Sequence, residues 1–180
     1  MKSNDAWDQI LDPGEQVIWQ GRPDAGFAPH PFRIFEGIFG LFFASFALFW
    51  MTQAAQGGGG FWMFGLLHFS VGVGIILHAL FWDSFKRNRT WYTLSDRRAF
   101  IATDLPLLGK RLASYVINED ADLRLIDGSP ASVFFASETT QTKGSVKTRP
   151  IGFERIADGK AVYRKIRNIQ LQSADRSAHT

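Results

Sequence analysis

The sequence predicts a membrane-embedded helical hairpin, followed by a small antiparallel β barrel or sandwich that a C-terminal helix closes. Three observations support this fold class. Residues 37–82 contain no charged side chain. After Trp82 the chain changes to short runs in which apolar and polar residues alternate, as in antiparallel strands. Residues 158–171 place their apolar side chains at helical spacing on one face.

Phenylalanine is concentrated in the apolar part of the chain. Twelve of the 17 phenylalanines lie between Phe32 and Phe85. In water, this density would leave large apolar faces exposed around a helix, whereas lipid removes that cost. The chain has no cysteine, which excludes disulfides and thiolate metal sites. The sequence therefore favours a membrane protein without cysteine chemistry.

The apolar stretch divides into two segments that are each long enough to cross a bilayer. A hydrocarbon core of about 30 Å needs about 20 helical residues. We predict a hairpin over residues 32–83, with spanning helices at about 32–53 and 61–82. Trp50, Trp62 and Trp82 lie near the helix ends, which is typical of the interfacial aromatic belt. The preceding leader is net acidic, unlike a signal peptide, so we expect the first helix to be retained.

Basic residues indicate how the hairpin is oriented. The connecting loop, residues 52–60, is uncharged, whereas Arg33 lies near the start of the first helix and Lys86, Arg87 and Arg89 follow the second. By the positive-inside rule, both termini face the cytoplasm, and the chain is a multi-pass protein of the inner membrane. The basic cluster Lys86, Arg87 and Arg89 has two interpretations. It sets the topology alone, or it also binds anionic headgroups, at about 1 kcal/mol per basic residue.

Small residues predict where the two helices pack. Such residues let helices in lipid approach closely, and the alternative is that glycine is simply frequent in membrane helices. The predicted contact residues are Gly37, Gly40 and Ala44 on the first helix, with Gly72 and Gly74 on the second.

Glu36 is the one acidic residue of the first helix, and it lies at the same expected depth as His78 of the second. Charged groups in a membrane usually face a partner or water. We therefore expect either a hydrogen-bonded Glu36–His78 pair or a Glu36 side chain that reaches Arg33 or the headgroups. His68 and His78 are ten residues apart, about 80° around a helix, which is poor geometry for one metal or haem.

Residues 1–31 are predicted to form a cytoplasmic arm. A short helix is expected over Ser3–Leu11, before the breaker Asp12-Pro13-Gly14. Residues 15–20 are a strand candidate that would add to a sheet elsewhere, and the alternative is an irregular arm.

Residues 84–171 are predicted to form the β region and its helix. Strands are expected at residues 90–94, 98–103, 110–117, 122–127, 131–137 and 151–154, with a long polar loop around residues 143–144. A helix with its N-cap at Asp158 and an apolar face of Val162, Ile166 and Ile169 should close one end. Residues 172–180 are expected to be a flexible tail.

Several motifs in combination resemble those of membrane-anchored bacterial proteins that carry a pleckstrin-homology-like (PH-like) domain. The matching segments are Leu11-Asp12-Pro13-Gly14-Glu15, Trp19-Gln20-Gly21-Arg22-Pro23, the two spanning helices, Tyr92-Thr93-Leu94-Ser95-Asp96-Arg97-Arg98, and Phe153-Glu154-Arg155-Ile156 with its helix. The resemblance covers nearly the whole chain. It implies a roughly seven-strand barrel, capped by the C-terminal helix, on the cytoplasmic face of the membrane. It implies no catalytic residue.

The sequence contains no motif of a known catalytic class. No Ser-His-Asp set, phosphate-binding glycine loop or paired acid motif is present, so we expect no catalytic, cofactor or metal site. Dispersed basic residues disfavour nucleic acid. We expect a non-enzymatic inner-membrane protein whose PH-like domain binds protein partners or further copies of itself. The alternative is a small oligomeric transport or channel component, in which Glu36, Ser45, His68 and His78 line a polar path.

Overall fold

The computed structural model describes residues 7, 9–106, 108–142 and 144–178. Contacts divide the chain into two compact units. One unit is the segment Ala25–Arg87, and the other combines Met1–Asp24 with Asn88–Thr180. We call them the helical unit and the β unit.

The helical unit is an antiparallel hairpin. Helix α1 covers Pro31–Gln56, a single 3-10 turn covers Phe61–Met63, and helix α2 covers Phe64–Asn88. Helix α1 begins where expected, because His30 caps it by accepting a hydrogen bond from the Phe32 amide and Pro31 occupies the first turn. Gly58 and Gly59 between the helices both have positive φ, of 73° and 76°, which glycine adopts without steric cost.

Both helices are long and apolar enough to cross a membrane. Within their most apolar windows only 22% and 17% of residues are buried, so neither resembles the core helix of a soluble protein. The exposed side chains are large and apolar. Phe35, Phe42 and Phe49, spaced by seven residues along one face of α1, are 60–71% exposed. Lipid is the solvent in which such a surface is stable.

Among the described residues of the β unit, seven strands form two antiparallel sheets. Sheet A has the order β1-β2-β3-β4, and sheet B has the order β5-β6-β7. The strands are β1 Val17–Gly21, β2 Thr90–Ser95, β3 Arg98–Leu105, β4 Gly109–Val116, β5 Arg124–Ile126, β6 Ala131–Thr142 and β7 Ser145–Ile156. The N-terminal strand does add to a sheet, because β1 pairs with β2 from Val17 opposite Ser95 to Gly21 opposite Tyr92.

Helix α3, Gly159–Ala178, packs on the core between the two sheets. The predicted face is confirmed, since Val162 and Ile166 are fully buried and Ile169 is 3% exposed. These side chains meet the strand residues Leu94, Val133 and Phe153, among others, in one apolar cluster. The Asp158 carbonyl accepts the amides of Ala161 and Val162 at the start of the helix.

In the part of the chain that the structure describes, the two sheets do not join into a closed barrel. After β4 the chain leaves the ladder, and the side-chain amide of Gln170 on α3 donates to the carbonyls of Asn118 and Ala121. The Gln170 side chain of helix α3 thus meets the hydrogen-bonding needs of these two carbonyls. Residues 118–123 form a connection between β4 and β5 and not a strand.

Several elements differ in extent from the predictions. In place of a long polar loop around residues 143–144, strands β6 and β7 continue as a hairpin and pair Thr142 with Ser145. Helix α3 continues to Ala178, beyond the predicted end at Leu171. Of the expected N-terminal helix, residues 3–6 and 8 lie outside the described residues. Trp7 begins a turn, in which its carbonyl accepts the amides of Ile10 and Leu11.

Candidate functional site

Polar side chains form one cluster at the end of the hairpin where α1 begins and α2 ends. Glu36 Oε1 lies 2.8 Å from Nδ1 of His78, and Glu36 Oε2 lies 2.6 Å from the Arg33 guanidinium. Arg33 Nε is also 3.5 Å from a carboxylate oxygen of Asp83. The structure therefore brings both expected partners to Glu36 at once. Arg33 and Asp83 complete a four-residue cluster, which we call the polar clamp.

The polar clamp ties the beginning of α1 to the end of α2. Arg33, Glu36 and Asp83 are each about one-fifth exposed, whereas the His78 side chain is 43% exposed and stacks on Trp82 at 5.2 Å between ring centroids. Each carboxylate has a cationic partner, which lowers the large cost of charge near lipid. Such an arrangement fixes two helices and leaves no ionised side chain of the clamp without a partner.

Close backbone contact positions the clamp residues. A Cβ added at Gly72 would lie 2.7 Å from the Ala44 nitrogen, and one at Gly40 would lie 2.9 Å from Ile75 Cγ2. A Cβ added at Gly37 would lie 3.5 Å from Ala79 Cβ, an ordinary van der Waals distance. Only a small residue fits such crossings, in line with helix packing in lipid.

Gly74 does not share this contact. A Cβ added there would meet nothing within 4 Å, and the residue is exposed. Two residues correspond to about 200° of rotation on a helix, so Gly74 lies on the side opposite to Gly72. The helix interface contains Gly37, Gly40, Ala44 and Gly72, as well as Gly65, where an added Cβ would lie 2.2 Å from Met51 Cγ.

The basic cluster Lys86, Arg87 and Arg89 is partly exposed at all three positions. Lys86 and Arg87 belong to the last turn of α2, where cations favour the helix dipole. The Arg87 guanidinium donates to the Gly26 carbonyl at 2.7 Å and to Ser84 Oγ at 3.2 Å. Arg87 therefore holds the segment before α1, a role that the sequence did not reveal.

A second ionic cluster, in the β unit, was not predicted. The Glu15 carboxylate has no exposed surface and pairs with Arg98 of β3. It also accepts the Ser95 hydroxyl at 2.5 Å and the Asp12 amide at 2.9 Å. Burial alone would raise the pKa of Glu15, but hydrogen bonds from Arg98, Ser95 and the Asp12 backbone outweigh it and lower the pKa to about 2. We call this cluster the N-terminal clasp, because it holds the N-terminal arm on sheet A.

The same arm also contacts the outer face of sheet A. Trp7 meets Phe100 edge-to-face, with 5.2 Å between ring centroids. Phe100 is 1% exposed, although its side chain is absent from the main core cluster. The aromatic contact and the N-terminal clasp together make Trp7 and Glu15 part of the β unit's packing.

The distal half of the β6–β7 hairpin is an exposed part of the β unit. Residues 137–141 and 146–150 are all exposed. Strand β5 pairs only with Ser132, Val133 and Phe134, so beyond this point β6 pairs with β7 alone among the described strands. We call this two-stranded extension the β ribbon. It presents open main-chain edges that could pair with another strand.

Within residues 7, 9–106, 108–142 and 144–178, no group of three or more His, Asp or Glu side chains is placed to hold a metal ion. Comparisons of the chain with protein-family models, with curated proteins and with solved structures found no match.

Proposed function

We propose that this chain is a non-enzymatic inner-membrane protein in which the hairpin anchors a PH-like β unit at the cytoplasmic surface. The β unit binds a protein partner or further copies of the chain. The β ribbon is the observation that carries this proposal. It exposes strand edges that main-chain hydrogen bonding to an added strand would satisfy, the mode known as β-augmentation.

The two edges of the ribbon differ in their suitability for pairing. The β7 edge carries Lys147, Arg149 and Pro150, and charged residues and proline are the types that keep an edge from pairing. The β6 edge carries Thr139 and Thr140, which favour strands, and one charge, Glu138. We therefore assign the β6 edge, residues 137–142, as the docking edge.

The polar clamp favours an anchoring role for the hairpin over transport. Glu36 and His78 are engaged with each other and with Arg33 at one end. His68 is ten residues from His78, about 15 Å along α2, and borders an aromatic cavity instead. Within one chain these groups line no continuous polar path. The transport alternative therefore requires an oligomer, which the protein's mass in mild detergent would reveal.

Site-specific photo-crosslinking tests the proposal. A photoreactive amino acid at Thr140 should give adducts, with a partner or with a second copy, when the full chain is irradiated in its native membrane. The matched control is the same amino acid at Lys165, an exposed position on α3. Equal adduct patterns at the two positions would count against the β6 edge as the docking site.

A further inference from the structure

The hairpin contains a cavity of about 210 Å³ between the two helices, in the half nearest to their connecting loop. Its walls are apolar and largely aromatic. The lining residues are Phe43, Phe46, Ala47, Trp50, Phe64, Gly65 and His68. The cavity belongs wholly to the helical unit and is separate from the polar clamp.

His68 is the one ionisable side chain among these lining residues, and the Trp50 indole N–H is their other polar side-chain group. It follows the start of the 3-10 turn, Phe61, by seven residues, or about 10 Å of helix, which places it inside the hydrocarbon layer of a bilayer. Its ring lies between Phe64 and Phe43, with centroid distances of 5.4 and 6.2 Å. An exposed imidazole at this depth is costly unless it faces a partner.

The hydrogen bonding of His68 is incomplete within the described part of the chain. Nδ1 lies 3.5 Å from the Phe64 carbonyl, the long limit of a hydrogen bond. Nε2 forms no hydrogen bond with a described group, so this nitrogen remains available to a ligand. The cavity therefore offers aromatic surfaces and an imidazole nitrogen that is available for a hydrogen bond.

We propose that the cavity binds the head of a membrane-dissolved lipid of the quinone class, whose flat ring carries a carbonyl oxygen that accepts a hydrogen bond from Nε2–H of His68. The volume fits this assignment, because an apolar cavity of roughly 150 Å³ already holds benzene. A single substituted ring fills the site, and its tail extends through the open side into the bilayer. Phe43, Trp50 and Phe64 stack on the ring or contact its edge.

The ring oxygen distinguishes this ligand from an ordinary acyl chain. An acyl chain would fill the volume and leave His68 unsatisfied in an apolar layer, at the cost of an unpaired polar group. A ring with an oxygen satisfies the imidazole and the aromatic walls together. This inference rests on the membrane placement of the hairpin and is independent of the β ribbon.

The test measures binding of decylbenzoquinone to the full chain in lipid nanodiscs. The readout is the excess of probe retained over empty nanodiscs, as a function of probe concentration. We expect saturable binding that His68→Leu weakens by about 3- to 30-fold, the range of one hydrogen bond in a membrane. His68→Gln, which keeps a hydrogen-bonding group, should stay within about 3-fold of wild type.

Two matched controls separate the imidazole from general effects. Ser70→Leu replaces an exposed polar residue of the same helix that does not line the cavity, and binding should be unchanged. Decylcyclohexane has a ring and tail of similar size but no oxygen and no flat face, and it should compete poorly.

Three results would overturn the proposal. The first is equal binding by wild type and His68→Leu, and the second is equal competition by decylcyclohexane, which would mean that the cavity holds apolar chains only. The third is absence of saturable binding by the wild type; a smaller oligomer for His68→Leu would then assign the cavity to a second copy of the chain.

Discussion

Replacing Glu15 by Gln should destabilise the β unit by about 3 kcal/mol at neutral pH. The carboxylate is wholly buried and pairs with Arg98, Ser95 and the Asp12 amide. Its pKa falls from 4.5 to about 2 on folding. Since one pKa unit corresponds to about 1.4 kcal/mol, this lowering is equivalent to about 3 kcal/mol of stability.

An independent argument gives a similar magnitude. Removing one partner of a buried ion pair costs about 3–5 kcal/mol, because the other charge is left unpaired. Arg98 is one-fifth exposed and keeps Asp12 at 3.3 Å, so the lower end of that range applies. The two arguments therefore agree on about 3 kcal/mol.

The same contribution should depend on pH with a definite sign. Because the folded-state pKa of Glu15 is below its unfolded value, its stabilisation is full above about pH 5 and is lost as the pH falls toward 2. Linkage leaves roughly half of this contribution at pH 3. Wild type should therefore approach Glu15→Gln in stability on acidification.

Amide hydrogen exchange of the full chain in detergent micelles measures this effect. Peptides from β2 and β3 should lose about 100-fold or more of their protection in Glu15→Gln at pH 7. Glu119→Gln, at an exposed turn, is the control and should change stability by less than about 0.5 kcal/mol. Equal protection in the two variants at pH 7 would refute the reasoning. A difference that stays constant down to pH 3 would assign the effect to packing and not to charge.

Two further pairs of substitutions test the packing of each unit by reversible unfolding of the full chain in micelles. Ile166→Ala removes a fully buried side chain of α3 and should cost about 2–5 kcal/mol, whereas the exposed Lys165→Ala should stay within about 0.5 kcal/mol; equal costs would mean that α3 is not packed on the core. Gly72→Leu forces a side chain against the backbone of α1 and should lower the free energy of unfolding by about 1–3 kcal/mol or more. Gly74→Leu faces open space and should be nearly neutral. Equal effects of the two substitutions would contradict the interface described above.

Local patterns were enough to predict most of the secondary structure. The two apolar helices, the hairpin of β2 and β3 and the buried face of α3 follow from hydropathy and periodicity. The β ribbon escaped prediction because both of its faces are exposed, so its residues show no alternation. The extension of α3 beyond Leu171 was missed for a related reason, since its last turns are largely polar.

Contacts between distant residues account for the rest. Glu15 and Arg98 are 83 positions apart, and nothing near either residue indicates its partner. In the polar clamp, the equal expected depth of Glu36 and His78 in the membrane suggested that pair, and the short distance along the chain suggested Arg33 as a partner of Glu36. Only the packing of the two helices shows that Glu36 contacts both residues and that Asp83 joins them. The aromatic cavity likewise depends on how α1 and α2 pack.

The orientation of the hairpin tests the membrane-anchor account most directly. The chain has no cysteine, so single cysteines can be introduced at Ala55 and Ser137, both of which are exposed. In intact cells, a membrane-impermeant thiol reagent should label Ala55→Cys, whereas Ser137→Cys should react only after the membrane is permeabilised. Labelling of Ser137→Cys but not of Ala55→Cys in intact cells would contradict the account.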